Sequence, residues 1–290
     1  MLIVPGAIEF VVVCCCGVEA GQVIRLAYVI VEVLYLVLAC KYGMMDLAGV
    51  GPTGPYKVGY TDEFTTNKGN FCAVYYPASQ SARLLTTKHG YIEGYGSRKA
   101  LRKTMAWISP HKRPPPDFIL KSLDGIEIPV AINANAAEGL PAKLPVLIFS
   151  HGLTAQAKGY SVFCRELASY GIVVIALDHM DGSCGYTVNQ NNEVNMGFDD
   201  RHIFGAEPAR TDQLEVRKAE VIGVIDKLSE GDFIVPGIEV DLDKIIVAGH
   251  SFGAITAIHS SLSEYRIAGV ISLDPWFFPV HKQVEKRRYK

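Results

Sequence analysis

From residue 145 onward, short and nearly continuous apolar runs alternate with longer stretches whose apolar positions fall three and four residues apart. The runs at 145–149, 171–177, 244–248 and 268–273 are rich in β-branched residues, as strands buried on both faces of a parallel sheet require. Between them, 160–170 and 211–230 predict helices; in the second, Leu214, Val221, Ile225 and Leu228 fall on one helical face. Upstream, 56–60 and 70–76 predict an opening antiparallel pair turned near Asn67-Lys68-Gly69, and 126–132 predicts one more strand. The alternation predicts an α/β domain: a mostly parallel sheet with helices on both faces. Residues 181–208, rich in Gly and Asn, predict an irregular rim over a pocket.

The pattern changes at Gly49. Residues 1–48 form an apolar extension whose strongest runs, 8–18 and 26–40, are interrupted by Glu9, Glu19, Arg25 and Glu32. Neither reaches the roughly 20 residues that span a bilayer, and no positive charge precedes the first run as a secretory leader requires. A membrane-associated or signal-like segment and a packed extension both stay open; beside a membrane, Cys14, Cys15 and Cys16 would be acylation sites. Residues 49–290 form the predicted catalytic domain, opened by the turn residues of Gly51-Pro52-Thr53-Gly54-Pro55.

Composition narrows the function. A net charge of −2 provides no basic surface for phosphate backbones, which turns the reading from nucleic acid toward a small molecule or lipid. The seven cysteines, three of them adjacent, match neither a disulfide framework nor a zinc spacing. No histidine pairing suits a metal and no Gly-rich phosphate loop occurs, so no cofactor is expected. The compartment stays open between cytoplasmic, membrane-associated and secreted.

The chemistry concentrates in Gly249-His250-Ser251-Phe252-Gly253. Gly-x-Ser-x-Gly occurs by chance in a chain of this length with a probability of roughly 0.1–0.2, so the weight lies in its setting. A strand precedes it and the helix-forming 254–259 follows, the strand-turn-helix context of the α/β-hydrolase nucleophile elbow. Ser251 is therefore the expected nucleophile, with Gly249 and Gly253 lacking bulk where the turn is sharpest. In this fold the loop after strand 145–149 and the residue after the nucleophile provide the oxyanion hole, which assigns the backbone N–H groups of Leu153 and Phe252. Asp274, ending the strand 268–273, is the favoured triad acid; Asp178 also ends a strand but precedes the serine, and is expected to shape the pocket rim.

These segments together resemble the platelet-activating factor acetylhydrolases of the plasma and intracellular type II kind. The resemblance is carried by Gly54-Pro55-Tyr56-Lys57-Val58-Gly59, Thr66-Asn67-Lys68-Gly69, Tyr75-Tyr76-Pro77, Phe149-Ser150-His151-Gly152-Leu153, Leu167-Ala168-Ser169-Tyr170-Gly171, Asp178-His179-Met180-Asp181, the elbow, and Leu273-Asp274-Pro275-Trp276. It implies hydrolysis of the acetyl or short sn-2 acyl ester of a phospholipid, without calcium, at a membrane or lipoprotein surface. It also implies a triad histidine several dozen residues beyond Asp274, whereas the sequence stops at Lys290; only His259 and His281 follow Ser251. The expectation is a domain without its last strands and its base, whose activity is reduced. A carboxylesterase or lipase of other acyl preference, and a lipid-binding protein without catalysis, are the competing readings.

Overall fold

The computed structural model describes residues 51–83, 94–108, 114, 128–188, 193–199, 207–231, 233 and 235–285. The expected extension 1–48 and the cysteines Cys14, Cys15, Cys16 and Cys40 lie outside the described residues. The strands are β1 (Lys57–Thr61), β2 (Cys72–Ala78), β3 (Ala131–Ile132), β4 (Leu144–Ser150), β5 (Val173–Leu177), β6 (Tyr186–Val188), β7 (Val194–Gly197), β8 (Val240–His250) and β9 (Ile267–Leu273). The helices are α1 (Gly94–Ile108), α2 (Ser161–Ser169), α3 (Glu207–Ser229), α4 (Phe252–Ser261) and the short α5 (His281–Glu285), with a 3-10 turn at Ala157–Tyr160 leading into α2.

Seven strands form one sheet in the order β3-β1-β2-β5-β4-β8-β9. β2 runs antiparallel to both β1 and β5, and every other pairing is parallel. The turn before β2 closes as its residues direct: Gly69 N donates to Thr66 O at 2.8 Å, and Gly69 sits at φ 79, a conformation open to glycine.

Side chains alternate across the pleat. Val74, Tyr76, Val146, Ile148, Val173, Ile175, Ile245 and Val247 face α3 and α4 on one side. Tyr75, Leu147, Phe149, Val174, Ala176 and Ala248 face α2 and α1 on the other. The central strands therefore carry apolar residues at nearly every position, the pattern that predicted them.

Two elements differ from expectation. Helix α1 falls where no element is predicted; its register, with Ala100 and Leu101 inward, is too weakly apolar to stand out. The segment 181–208 is not wholly irregular, since β6 and β7 form an antiparallel ribbon within it. Among the described residues no helix is long and apolar enough to cross a membrane.

Candidate active site

β8 ends at His250 and α4 begins at Phe252, so Ser251 alone makes the turn, at φ 56 and ψ −113. A positive φ at a serine is strain that the surroundings must enforce. Packing enforces it: a Cβ on Gly249 would meet Gly253 O at 2.2 Å, and one on Gly253 would meet Ser150 O at 1.9 Å. Only glycine fits either place, which is the reason for the expected spacing. The backbone of Ser251 is pinned on both sides, its N–H to Leu273 O at 2.9 Å and its carbonyl accepting from Trp276 N at 3.1 Å. Ser251 thus stands at the N-terminus of α4, where the helix dipole favours negative charge.

Asp274 comes next to it by register. His250 pairs with Leu273 in the parallel β8–β9 ladder, so the residues that follow, Ser251 and Asp274, leave adjacent strand ends. Asp274 is exposed, and at φ 48 it repeats the positive backbone of the serine. Asp178 has a different place. It is buried, and its carboxylate accepts from Ala157 N at 2.6 Å at the start of the 3-10 turn. Burial pushes its pKa up to about 7 against the pull of that amide. It anchors the loop rather than standing on the rim.

The oxyanion side is built by the loop after β4. Gly152 is wedged against the elbow; a Cβ there would meet His250 Nδ1 and the Tyr160 hydroxyl, each at 3.2 Å. The Tyr160 hydroxyl accepts from Gly152 N at 3.2 Å and shares a hydrogen bond with His250 Nδ1 at 2.9 Å, tying loop to elbow. Leu153 packs on the cluster of Leu214, Phe252, Ile255 and Val280. Thr154 turns the loop at φ 65, a strained conformation for a β-branched residue. Neither the Leu153 nor the Phe252 amide donates to any acceptor among the described residues.

Beneath this loop lies a buried polar network. The Ser150 hydroxyl donates to His179 Nε2 and His179 Nδ1 donates to the Glu220 carboxylate, each at 2.7 Å. Glu220 also accepts from Asn70 Nδ2 at 2.9 Å and Met180 N at 3.0 Å. Arg217 donates to His151 O at 2.7 Å and pairs with Asp181 at 2.9 Å, and its guanidinium lies over the Phe252 ring at 4.2 Å. Ser150, His179 and Glu220 have the residue types of a hydrolytic triad, but Ser150 and His179 are completely enclosed. No substrate reaches Ser150, and the trio is a girder rather than a second nucleophile. Sequence pattern alone does not single out Arg217 and Glu220, because a charged residue on a helix ordinarily faces solvent.

No described histidine hydrogen-bonds Ser251 or Asp274. His259 pairs with Glu215 at 2.6 Å, and His281 bonds the Phe278 carbonyl at 2.8 Å while stacking on its ring. His89, His111 and His202 lie outside the described residues. Among the described residues one group of metal-capable atoms comes together, His151, Asp178 and Cys184 within 4.8 Å. Their hydrogen bonds already engage them: the His151 ring with Gly152 O and His179 N, Asp178 with Ala157 N, and Cys184 with the carbonyls of Ala155 and Tyr186. Burial also raises the Cys184 thiol well above its ordinary value, away from the thiolate a metal needs. Of the cysteines, Cys72, Cys164 and Cys184 are buried free thiols.

A mixed sheet in this order, with a strained serine between a central strand and the helix that follows, defines the α/β-hydrolase fold. The comparisons agree. Over residues 49–290 the chain matches the family described as platelet-activating factor acetylhydrolase, isoform II, and it belongs to that family. It is 31% identical to the platelet-activating factor acetylhydrolase of Bos taurus over 282 residues, covering 84% of this chain and 60% of that protein. It is 29% identical to that of Cavia porcellus over 262 residues, covering 81% and 57% respectively. The chain thus spans somewhat under two thirds of the length of these relatives. Among solved structures, a ferulic acid esterase from Streptomyces cinnamoneus superposes with a TM-score of 0.52 at 18% identity, covering 75% of this chain and 58% of the other. At that identity the likeness concerns the fold alone.

Proposed function

We propose that the protein is a serine-dependent carboxylic ester hydrolase acting on the acetyl or short sn-2 acyl ester of platelet-activating factor-like phospholipids. The single observation that carries the chemistry is the strained Ser251 at φ 56, ψ −113 on the N-terminus of α4, beside two unengaged amides. The family to which the chain belongs supports the substrate class.

In this reading Ser251 Oγ attacks the ester carbonyl and its proton passes to a base. The oxyanion develops between the Leu153 and Phe252 amides, each worth about 3 kcal/mol in the transition state. The acyl-serine is then hydrolysed by water. Asp274 orients the base, the histidine that the resemblance to the family places several dozen residues beyond Asp274. The substrate is met at a membrane or lipoprotein surface, and no nucleic acid takes part.

A fluorophosphonate probe tests the reading directly. The natural protein is expected to label and to hydrolyse 2-acetyl in preference to long 2-acyl phospholipids, and Ser251→Ala to abolish both. Labelling with equal turnover of long-chain or non-phospholipid esters would favour a general carboxylesterase or lipase. No labelling at all would leave a lipid-binding protein, the reading favoured by the absence of a hydrogen bond between Ser251 and any described histidine.

A further inference from the structure

The oxyanion hole assigned above depends on one peptide plane. The amide of Leu153 belongs to the Gly152–Leu153 peptide, and no described peptide bond is cis, so its N–H points opposite to the Gly152 carbonyl. Whatever fixes that carbonyl aims the amide. Glycine on the near side makes rotation of the plane easy, and the rotated form would turn an oxygen toward the developing oxyanion.

Two donors hold the Gly152 carbonyl: His151 Nδ1 at 2.7 Å and Ala155 N at 3.2 Å. A carbonyl only accepts, so Nδ1 of His151 carries the hydrogen. Its other nitrogen is spoken for, because Nε2 accepts from the backbone N–H of His179 at 3.1 Å. The two contacts require the same neutral tautomer, and turning the ring over would break both. His179 is itself clamped between Ser150 and Glu220, and Arg217 holds the His151 carbonyl at 2.7 Å. Burial, with Arg217 and His179 nearby, keeps the His151 pKa well below its ordinary value, so the ring stays neutral.

We propose that His151 is a positioning residue of the oxyanion hole: its ring, held as the Nδ1–H tautomer by the His179 amide, grips the Gly152 carbonyl and so aims the Leu153 amide at the substrate. This rests on the ester-hydrolase reading for its consequence in turnover, and on geometry alone for the tautomer. His151 touches no reacting atom.

Two substitutions separate positioning from packing. The Asn side chain places an N–H near the Nδ1 position, whereas Gln places its N–H near Nε2. Both perturb a buried site, so a purely structural role predicts that His151→Asn and His151→Gln suffer alike. Positioning predicts that His151→Gln loses about tenfold or more in kcat, short of the 10²–10³ of a whole lost donor, with KM held within about twofold. His151→Asn is expected to recover kcat to within about threefold of the natural protein.

Imidazole ¹⁵N two-bond correlation spectra of the natural protein give a reading independent of activity. The Nδ1–H tautomer is expected for His151 across pH 5 to 8, with a Leu153 amide resonance that moves in His151→Gln and stays in His151→Asn. An Nε2–H tautomer, or equal amide shifts in the two variants, would overturn the proposal, as would equal losses of kcat. If the natural protein neither labels nor turns over ester, the hydrolase reading fails while the tautomer and the Leu153 resonance still decide the positioning.

Discussion

Asp178 is a carboxyl group placed where its charge is unwelcome. Burial lifts its pKa to about 7, above the roughly 3.9 of an unfolded aspartate. The folded state therefore binds the proton more tightly than the unfolded one, and stability present below about pH 4 is lost as pH rises toward 7. Asp178→Asn, whose amide oxygen still accepts from Ala157 N, escapes this loss. Urea unfolding at pH 5 and pH 8 is expected to show the variant gaining on the natural protein by about 3 kcal/mol, since about two of the pH units over which the stability is lost lie above pH 5, at about 1.4 kcal/mol each. The buried histidines His151 and His179 are present in both proteins and cancel in the difference. At Gly253 the effect is steric. An added Cβ would meet Ser150 O at 1.9 Å and His151 O at 2.8 Å, both backbone atoms of the oxyanion strand. Gly253→Ala is expected to cost roughly 3–5 kcal/mol in urea unfolding and to abolish fluorophosphonate labelling, since the strain falls on the elbow and the hole together.

At the scale of elements, α3 joins the core to the site. Its C-terminal half buries Val221, Val224, Ile225 and Leu228 against the sheet, while the same inward stripe further toward the N-terminus carries Arg210, Gln213, Arg217 and Glu220. The stripe keeps its helical period and changes its chemistry. That explains what the sequence revealed of it: Leu214, Val221, Ile225 and Leu228 marked the helix, and nothing singled out the buried charges, because position alone does not distinguish inward from outward Arg. Arg217 holds the Asp181 carboxylate and the His151 carbonyl with no exposure of either charged side chain. Arg217→Leu would leave Asp181 buried without its counter-charge, and is expected to destabilise the fold by about 3–5 kcal/mol, read from the urea midpoint. The strands show the opposite case. β4, β5 and β8 were legible because burial on both faces demands continuous apolar, β-branched runs; β9 carries the same kind of run although none of its residues is fully buried. α1 was not legible, because its inward Ala100 and Leu101 are set among Arg98, Lys99, Arg102 and Lys103 and no apolar run marks the helix.

At the scale of the whole molecule, β9 is the outermost strand on its side of the sheet among the described residues. Val270 and Ile271 are 36% and 37% exposed and Leu273 is 37% exposed, and among the described residues β9 pairs with β8 alone. Such an edge invites pairing with another chain, and a lysine on it opposes that pairing. Ile271→Lys is expected to reduce concentration-dependent self-association in light scattering without lowering the thermal midpoint.

The sequence by itself determined the α/β alternation, the opening antiparallel pair, and the elbow glycines around Ser251, since each is dictated by a local requirement: two-face burial, a tight turn, or the exclusion of a Cβ. It also placed Leu153, Phe252 and Asp274 at strand and helix ends. Only the tertiary structure decided that Asp178 caps the 3-10 turn, that His259 and His281 are engaged away from Ser251, and that His151, His179, Arg217 and Glu220 meet beneath the oxyanion loop. Those groups come from the loops after β4 and β5 and from α3, far apart along the chain. Their partnership depends on the order in which parallel strands cross, which sequence spacing does not carry.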